Sequence, residues 1–227
     1  MGKIINNKEV AILMATYNGE KYIKEQIDSL LEQTFINWNL YIQDDGSIDR
    51  TIEIVQSYDD SRITIVDNGL THQGPCLNFM NLLNIVESQY YMFCDQDDVW
   101  LPDKIAISYE RMKIEEQYHN DLPILVHTDY KSTDAFLNII KTSEYNKKKL
   151  SNAIVIKKVE GRKKINQLRL LSVGIGCTFF FNYNTKKVSF PFSNMRMHDM
   201  IISLNVMKNE RSSGDYINTD YALSYTW

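Results

Sequence analysis

The 227 residues, 44% hydrophobic and 24% charged, suit one globular α/β domain with a sizeable core. A net charge of −4 argues against a general nucleic-acid binder. No charged-then-apolar N-terminal signal is present, and the longest apolar runs, such as Val10–Ala15 and Thr178–Phe181, are too short to span a bilayer.

Val10–Thr16 is a short continuous apolar run ending at the turn Tyr17-Asn18-Gly19, which predicts a strand buried on both faces. Ile23, Ile27, Leu30 and Leu31 follow at helical spacing. Trp38–Gln43 reads as the second strand, with Asp44-Asp45-Gly46-Ser47 at its C-terminal end. A helix with Ile48, Ile52 and Val55 on one face follows, then a third strand over Ile63–Val66. The polar loop Asp67–Pro75 leads to a helix carrying Phe79, Leu82, Leu83 and Val86. Tyr90–Cys94 is the fourth strand and ends in Asp95-Gln96-Asp97-Asp98. Pro102 opens another helix, with Ile105, Tyr109 and Met112 on its inner face. Strands alternating with helices predict a largely parallel sheet.

Beyond residue 120 the pattern weakens. Ile124–His127 and Gly176–Asn182 look like strands, Met197–Met207 like a helix with Met200, Leu204 and Met207 inward, and Tyr216–Tyr225 like a closing strand. Residues 140–170 read as a polar insertion, and Lys141 to Arg169 carries ten basic residues against Glu144 and Glu160. That excess reads either as a solvated loop or as a face for an anionic membrane or a lipid diphosphate. Cys76, Cys94 and Cys177 are widely spaced with no CxxC pair, and the four histidines form no zinc pattern. They read as reduced, buried thiols of a cytosolic protein.

Ligands of open α/β sheets bind beyond the carboxyl ends of the strands. Thr16-Tyr17-Asn18, Asp44-Asp45 and Asp95–Asp98 all fall there. An acidic pair after a strand is often only turn or capping chemistry. Three carboxylates within four residues repel one another, however, and a divalent cation with hard oxygen ligands, Mg²⁺ or Mn²⁺, would relieve that. There is no GxxxxGK[ST] loop and no GxGxxG after the first strand. The acidic pair follows the second strand, not the first as a response regulator requires.

Taken in order, Val10–Asn18, Asp44-Asp45-Gly46-Ser47 and Asp95–Pro102 resemble the family 2 glycosyltransferases of GT-A fold. The string Asp95-Gln96-Asp97-Asp98-Val99-Trp100-Leu101-Pro102 is most similar to their bacterial rhamnosyltransferase-like branch. The likeness is strong over residues 9–105 and resumes at His127-Thr128-Asp129, Gly176-Cys177-Thr178 and His198-Asp199. It implies a Rossmann-like mixed sheet flanked by helices, with a nucleotide-sugar half at 1–120 and a less regular acceptor half at 121–227, without a C-terminal extension. It implies donor contacts from Thr16, Tyr17, Asn18, Asp45, Asn78, Asp95 and Gln96, with Asp45 reading the base. Asp95 and Asp97 form the DXD pair, Asp97 touching Mn²⁺ or Mg²⁺ directly, and Asp199 is the catalytic base.

The resemblance further implies an inverting transferase, with dTDP-rhamnose as favoured donor and a glycan or lipid-diphosphate-linked acceptor. Such an enzyme would be cytoplasmic, peripheral to the inner face of the membrane through 141–169, and would bind no nucleic acid. One departure stands out. The family's metal-site histidine after the last strand has no counterpart in Ala222-Leu223-Ser224-Tyr225-Thr226-Trp227, as expected of a truncated or divergent member. The alternatives are a non-catalytic sugar-nucleotide-binding module and a nucleotidyltransferase, whose glycine-rich basic loop is replaced here by Tyr17-Asn18-Gly19-Glu20.

Overall fold

The computed structural model describes residues 2–119, 121–142, 175–191, 197–199, 201 and 202 in full, and the backbone of 153–154 and 225–226. In chain order the strands are β1 (Ile4–Ile5), β2 (Val10–Thr16), β3 (Trp38–Asp44), β4 (Ile63–Ile65), β5 (Val86–Glu87), β6 (Tyr90–Asp95), β7 (Leu125–His127), β8 (Lys131–Thr133), β9 (Ile139–Lys141), β10 (Ala153–Ile154), β11 (Phe179–Asn182) and β12 (Tyr225–Thr226). The helices are α1 (Ile23–Leu31), α2 (Thr51–Gln56), α3 (Pro75–Ile85), α4 (Lys104–His119) and α5 (Tyr183–Val188).

Seven strands form the central sheet in the order β10-β7-β11-β6-β2-β3-β4. The members from β6 to β4 run parallel, while β11 is antiparallel to both β6 and β7. The parallel part has the doubly wound order whose switch point lies between the first strand of the motif and the fourth, here β2 and β6. Registers Thr16↔Asp44 and Ala15↔Asp95 bring the C-terminal ends of β2, β3 and β6 level with one another. With strands about 4.8 Å apart, the backbones of Asp44 and Asp95 lie about 10 Å apart on either side of β2.

The side-chain period of two explains the apolar run of β2. Val10, Ile12 and Met14 pack with Ile23, Ile27 and Leu30 of α1 and with Ile105 and Met112 of α4. Ala11 and Leu13 face the opposite layer, with Phe79, Met80, Leu82 and Leu83 of α3 and Ile201 and Ile202. Each such side chain withdrawn from water contributes about 1.5–3 kcal/mol.

Several details differ from the sequence expectation. α2 begins only at Thr51, because Asp49 Oδ1 accepts from Thr51 N at 3.0 Å and fixes the turn there. Ile48 therefore precedes the helix and is 91% exposed rather than on its inner face. Val86 leaves α3 for β5, which pairs in parallel with β1. Gly176–Thr178 is a turn of 3₁₀-helix, and only Phe179–Asn182 is strand. α5, missed in the sequence, is capped by Asn182, whose side chain accepts from Thr185 N. The basic insertion contributes β9 and β10 to sheet edges, and its remainder lies outside the described residues. So do Met200, Leu204 and Met207 of the expected C-terminal helix and most of the closing strand.

Candidate active site

The three strand ends that meet at the switch point carry different chemistry. At β3, Asp44 is consumed by the turn that follows. Its carboxylate accepts from Thr16 Oγ1 at 2.7 Å, from Ser47 Oγ at 2.6 Å, and from the Gly46 and Ser47 amides at 3.0 and 2.7 Å. The turn reading thus holds for Asp44, and it ties Thr16 to the end of β3.

Asp45 does something else. Its Oδ1 accepts from Gln73 N at 2.7 Å and its Oδ2 from Gly74 N at 2.8 Å, while its backbone bonds Thr16 and His72. Burial pushes its carboxyl up, but the Gln73 amide, the Asn78 side chain and the Gly74 amide outweigh it, and the group stays below the ordinary carboxylate range. Asn78 is 1% exposed and also accepts from Gln43 Nε2. It stands behind Asp45 as its support. Pro75 begins α3 directly after Gly74, so Asp45 anchors the loop that delivers that helix.

Between β2 and β6 lies a clamp. Gln96 Oε1 accepts from Tyr17 N at 2.9 Å, and Gln96 Nε2 donates to Tyr17 O at 3.0 Å. A Cβ at Gly19 would overlap the Gln96 amide and push it off Tyr17, so glycine there leaves room for the clamp. Asn18, in left-handed conformation at φ 48°, donates its N–H to Ser47 Oγ and accepts from Ile48 N, closing the turn onto the β3 loop. The Tyr17 ring, 47% exposed, stands edge-on to His72 at 6.1 Å. Together they leave an aromatic rim beside Asp45.

The end of β6 is a concentration of acid. Ligand atoms of Asp95, Asp98 and Cys177 all lie within 4.8 Å of one another. Asp98 is 1% exposed, and no N–H or hydroxyl group donates to its oxygens, which have only the Cys177 thiol beside them. Burial, and then the Asp95 charge, push its carboxyl well above the ordinary range. Asp95 is pushed up to about 6 by burial and by Asp97, with Asp199 adding to the shift and the Cys177 thiol and Lys104 opposing it. Asp97 is half-buried, and burial raises it as well.

Lys104 answers this acid from α4. It is fully buried, donates to Cys177 O at 2.7 Å and sits 4.0 Å from the centre of the Trp100 ring. Burial pulls its ammonium down, against the pull of Cys177, Asp98, Cys94 and Asp95.

The third wall comes from the far end of the chain. His198 is packed between Phe79 and Phe93, with ring centres 4.2 and 4.8 Å away. Burial pulls its imidazole down to about 3, so the ring is neutral at physiological pH. A Cβ at Gly176 would overlap His198 Nε2, so that glycine lets the ring approach. The next residue, Asp199, reaches the acidic cluster by charge. After burial, its carboxylate is what pushes up the Cys76 thiol, and it also raises Asp95.

Among the expected site residues, Thr16, Tyr17, Asn18, Asp45, Gln96, Asp95 and Asp97 therefore line one edge, Asn78 backs Asp45, and Asp199 faces Asp95. The acid that makes the tight set with Asp95 is Asp98 rather than Asp97. Asp97 stands outside that set but close enough to act on Asp95 through its charge. Sequence reasoning counted Asp98 among the three carboxylates but gave it no ligand role, and it missed Lys104, Cys177 and His72. A signal for Lys104 did exist: it shares one face of α4 with Ile105, Ser108 and Met112. The donor set fits a hard divalent cation. Buried carboxylate oxygens without N–H donors are its preferred ligands, and the acids around them outnumber Lys104.

A family model, Glycosyl transferase family 2, matches residues 11–155. UDP-Glc:alpha-D-GlcNAc-diphosphoundecaprenol beta-1,3-glucosyltransferase WfgD of Escherichia coli is 27% identical over 219 residues, covering 95% of this chain and 77% of that protein. dTDP-rhamnosyl transferase RfbG of Shigella flexneri is 39% identical over 98 residues, covering 40% of this chain and 34% of the relative. The crystal structure of S. aureus TarS 1-349 in complex with UDP superposes with a TM-score of 0.68 at 19% identity, over 96% of this chain and 60% of that one. The fold is thus GT-A, and the chain spans 34% of the RfbG length and 60% of the solved TarS chain.

Proposed function

The chain belongs to glycosyl transferase family 2, and from that premise we propose that it transfers a sugar, with inversion, from a pyrimidine nucleoside diphosphate to a lipid-diphosphate-linked acceptor in surface polysaccharide synthesis. The observation that carries this reading is the tight set of Asp95, Asp98 and Cys177 beside the β2–β6 switch point, with Asp97 and Asp199 near enough to act on Asp95 by charge. The names of two relatives, one using UDP-Glc and one dTDP-rhamnose, support a pyrimidine donor. dTDP-rhamnose and UDP-glucose are the donors to test, with dTDP-rhamnose favoured by the motif after β6. The WfgD name supports a diphosphate-lipid acceptor.

The base lies against the rim that Tyr17 and His72 form, with Asp45 accepting a hydrogen bond from it through the lone pairs its loop leaves free. Thr16, Asn18 and Gln96 hold that rim in shape. Asp95, Asp97 and Asp98 would hold Mn²⁺ or Mg²⁺, which would supply positive charge for the leaving diphosphate. Asp199 takes the proton from the acceptor hydroxyl. His198, neutral and wedged, keeps Asp199 in place. A diphosphate departs without needing a proton, so one carboxylate suffices, unlike the pair needed for glycoside hydrolysis.

Residues 1–120 would then serve the donor and 121–227 the acceptor. The enzyme works on the cytoplasmic side, with the basic stretch 141–169 toward anionic lipid. Among the described residues no helix is long and apolar enough to cross a membrane.

A thermal-shift series with nucleoside diphosphates and their sugars, with and without Mn²⁺, tests the site. The expected result is stabilisation by UDP or dTDP compounds that deepens with metal. Asp199→Asn should keep that shift and lower transfer about 10²–10⁴-fold. A purine-only response, or unchanged transfer in the variant, would refute the assignment.

A further inference from the structure

Gln43 is the last residue but one of β3 and is 1% exposed. By the period of two it shares a face of the strand with Tyr41, which packs in the layer of Phe79, Leu82 and Leu83 of α3. An apolar side chain is what that layer calls for. The position carries an amide instead. Its Nε2 donates to Asn78 Oδ1, and among the described residues its Oε1 has no hydrogen-bond partner. A buried carbonyl without a donor costs stability, so neither packing nor pairing within the strand accounts for a glutamine here.

The site accounts for it. Asp45 receives the Gln73 and Gly74 amides and also bonds the Asn78 side chain. A carboxylate only accepts, so Asn78 must present Nδ2 to it. Asn78 Oδ1 then points back into the interior, where Asn78 is itself 1% exposed. Gln43 Nε2 is the donor that this oxygen needs. Each amide is turned by its neighbour, and the chain Gln43–Asn78–Asp45 ends on the wall of the site, with the last carboxylate holding three donors.

We propose that Gln43 is a positioning residue for base recognition: by fixing the Asn78 amide it keeps Asp45 an acceptor, and so selects a base that carries N3–H, uracil or thymine, over cytosine. This rests on the pyrimidine-donor reading above and narrows it. Cytosine has the same ring size but a bare N3, whose lone pair would face the Asp45 charge.

Gln43→Met keeps the volume of the side chain and drops both polar atoms. It exchanges the stranded Oε1 for a stranded Asn78 Oδ1, which Asn78 relieves by turning away from Asp45. The melting temperature should change little. With aspartate carboxyl carbons isotope-labelled and followed by NMR, without nucleotide, the Asp45 carboxyl should titrate higher in the variant than in wild type, having lost a donor. In titration calorimetry wild type should bind UDP at least about tenfold more tightly than CDP, a pair alike in ribose and diphosphate, which is the worth of one hydrogen bond to a charged group. Gln43→Met should lose that preference. In an Asn78→Ala background it should change nothing further, because Gln43 acts through Asn78.

An Asp45 carboxyl that titrates alike in both chains, an unchanged UDP preference in Gln43→Met, or a further loss in the Asn78→Ala background each overturns the positioning role. A large drop in melting temperature with the Asp45 titration unmoved would mark Gln43 as a packing residue only. Wild type that binds neither UDP nor dTDP sinks the proposed function instead, and the Asp45 titration still decides whether Gln43 holds Asn78.

Discussion

Asp45 and Asp98 are both withdrawn from solvent, at 6 and 1% exposure, yet they are treated in opposite ways. Asp45 receives two backbone amides and the Asn78 side chain, and its carboxyl sits below the usual range. Asp98 receives no backbone amide, only the weak donor of the Cys177 thiol, and sits well above it. One corner of the site is complete in the folded chain. The other stores an unmet need for positive charge that Lys104, already committed to the Cys177 carbonyl, meets only partly. A preformed corner suits recognition of a rigid base, and an incomplete one suits a cation that arrives with its substrate.

The largest way to break this contrast is to disturb the wall that carries Asp199 without touching either corner. Gly176→Ala drives a methyl group into His198 Nε2. Transfer should fall roughly 10²-fold through misplacement of the base, while the thermal shift given by donor stays. A matching loss of donor binding would show that the turn serves the whole site. Asp98→Asn removes the acid but keeps the shape. Affinity for Mn²⁺ in titration calorimetry should drop by at least roughly 10–100-fold, the scale of losing only an outer partner of a metal site, while the cation-free chain melts higher at neutral pH because the penalty of burying that acid has gone. Weaker metal binding together with a lower melting point would contradict the stored-charge picture.

Asp45→Ala attacks the finished corner. It strands the Gln73 and Gly74 amides, and stability should fall by about 1–3 kcal/mol in urea unfolding. Nucleotide affinity should fall about tenfold with it, the worth of one hydrogen bond to a charged group. The smallest effect is one of pH. Asp95 holds its proton to about pH 6 in the folded chain, against about 3.9 in an unfolded one. Between those values the folded state binds more protons, so stability falls as pH rises through the window. Without cation the chain should melt higher near about pH 5 than near about pH 7, and Mn²⁺ should shrink or reverse that difference by competing with the proton. A melting temperature that climbs steadily from about pH 4 to about pH 7 without metal would mean that Asp95 ionises normally.

The contrast also divides what was legible in the sequence. β2 and β6 announce themselves because strands buried on both faces read as unbroken apolar runs, β3 less fully because Asn39 and Gln43 interrupt it, and turn residues mark where they stop. The motifs at their ends followed from that. The roles within the motifs did not. Asp44 and Asp45 are adjacent and identical, and only the fold shows that one closes a turn while the other anchors the α3 loop. Lys104 drew no reading in sequence beyond its place on the helix, since what holds a buried lysine is a partner 73 residues away. Cys177 reads as an inert thiol because nothing local records Asp95 and Asp98 beside it. Ile48 was misplaced because helical periodicity was extended through Asp49, whose side chain starts the helix later. Local pattern finds elements. It does not find groups whose state is set by distant neighbours.

The position of β11 bears on how this chain reaches its folded form during synthesis. β6 and β7 follow one another in sequence, but the sheet holds them apart until Phe179–Asn182 slides between them. At about 5–20 residues per second, a ribosome needs roughly 4–17 s to go from Asp95 to Asn182. For that interval Tyr90–Asp95 offers an open, hydrophobic edge to any other strand, and a nascent chain halted before residue 179 would carry that edge with nothing of its own to cover it.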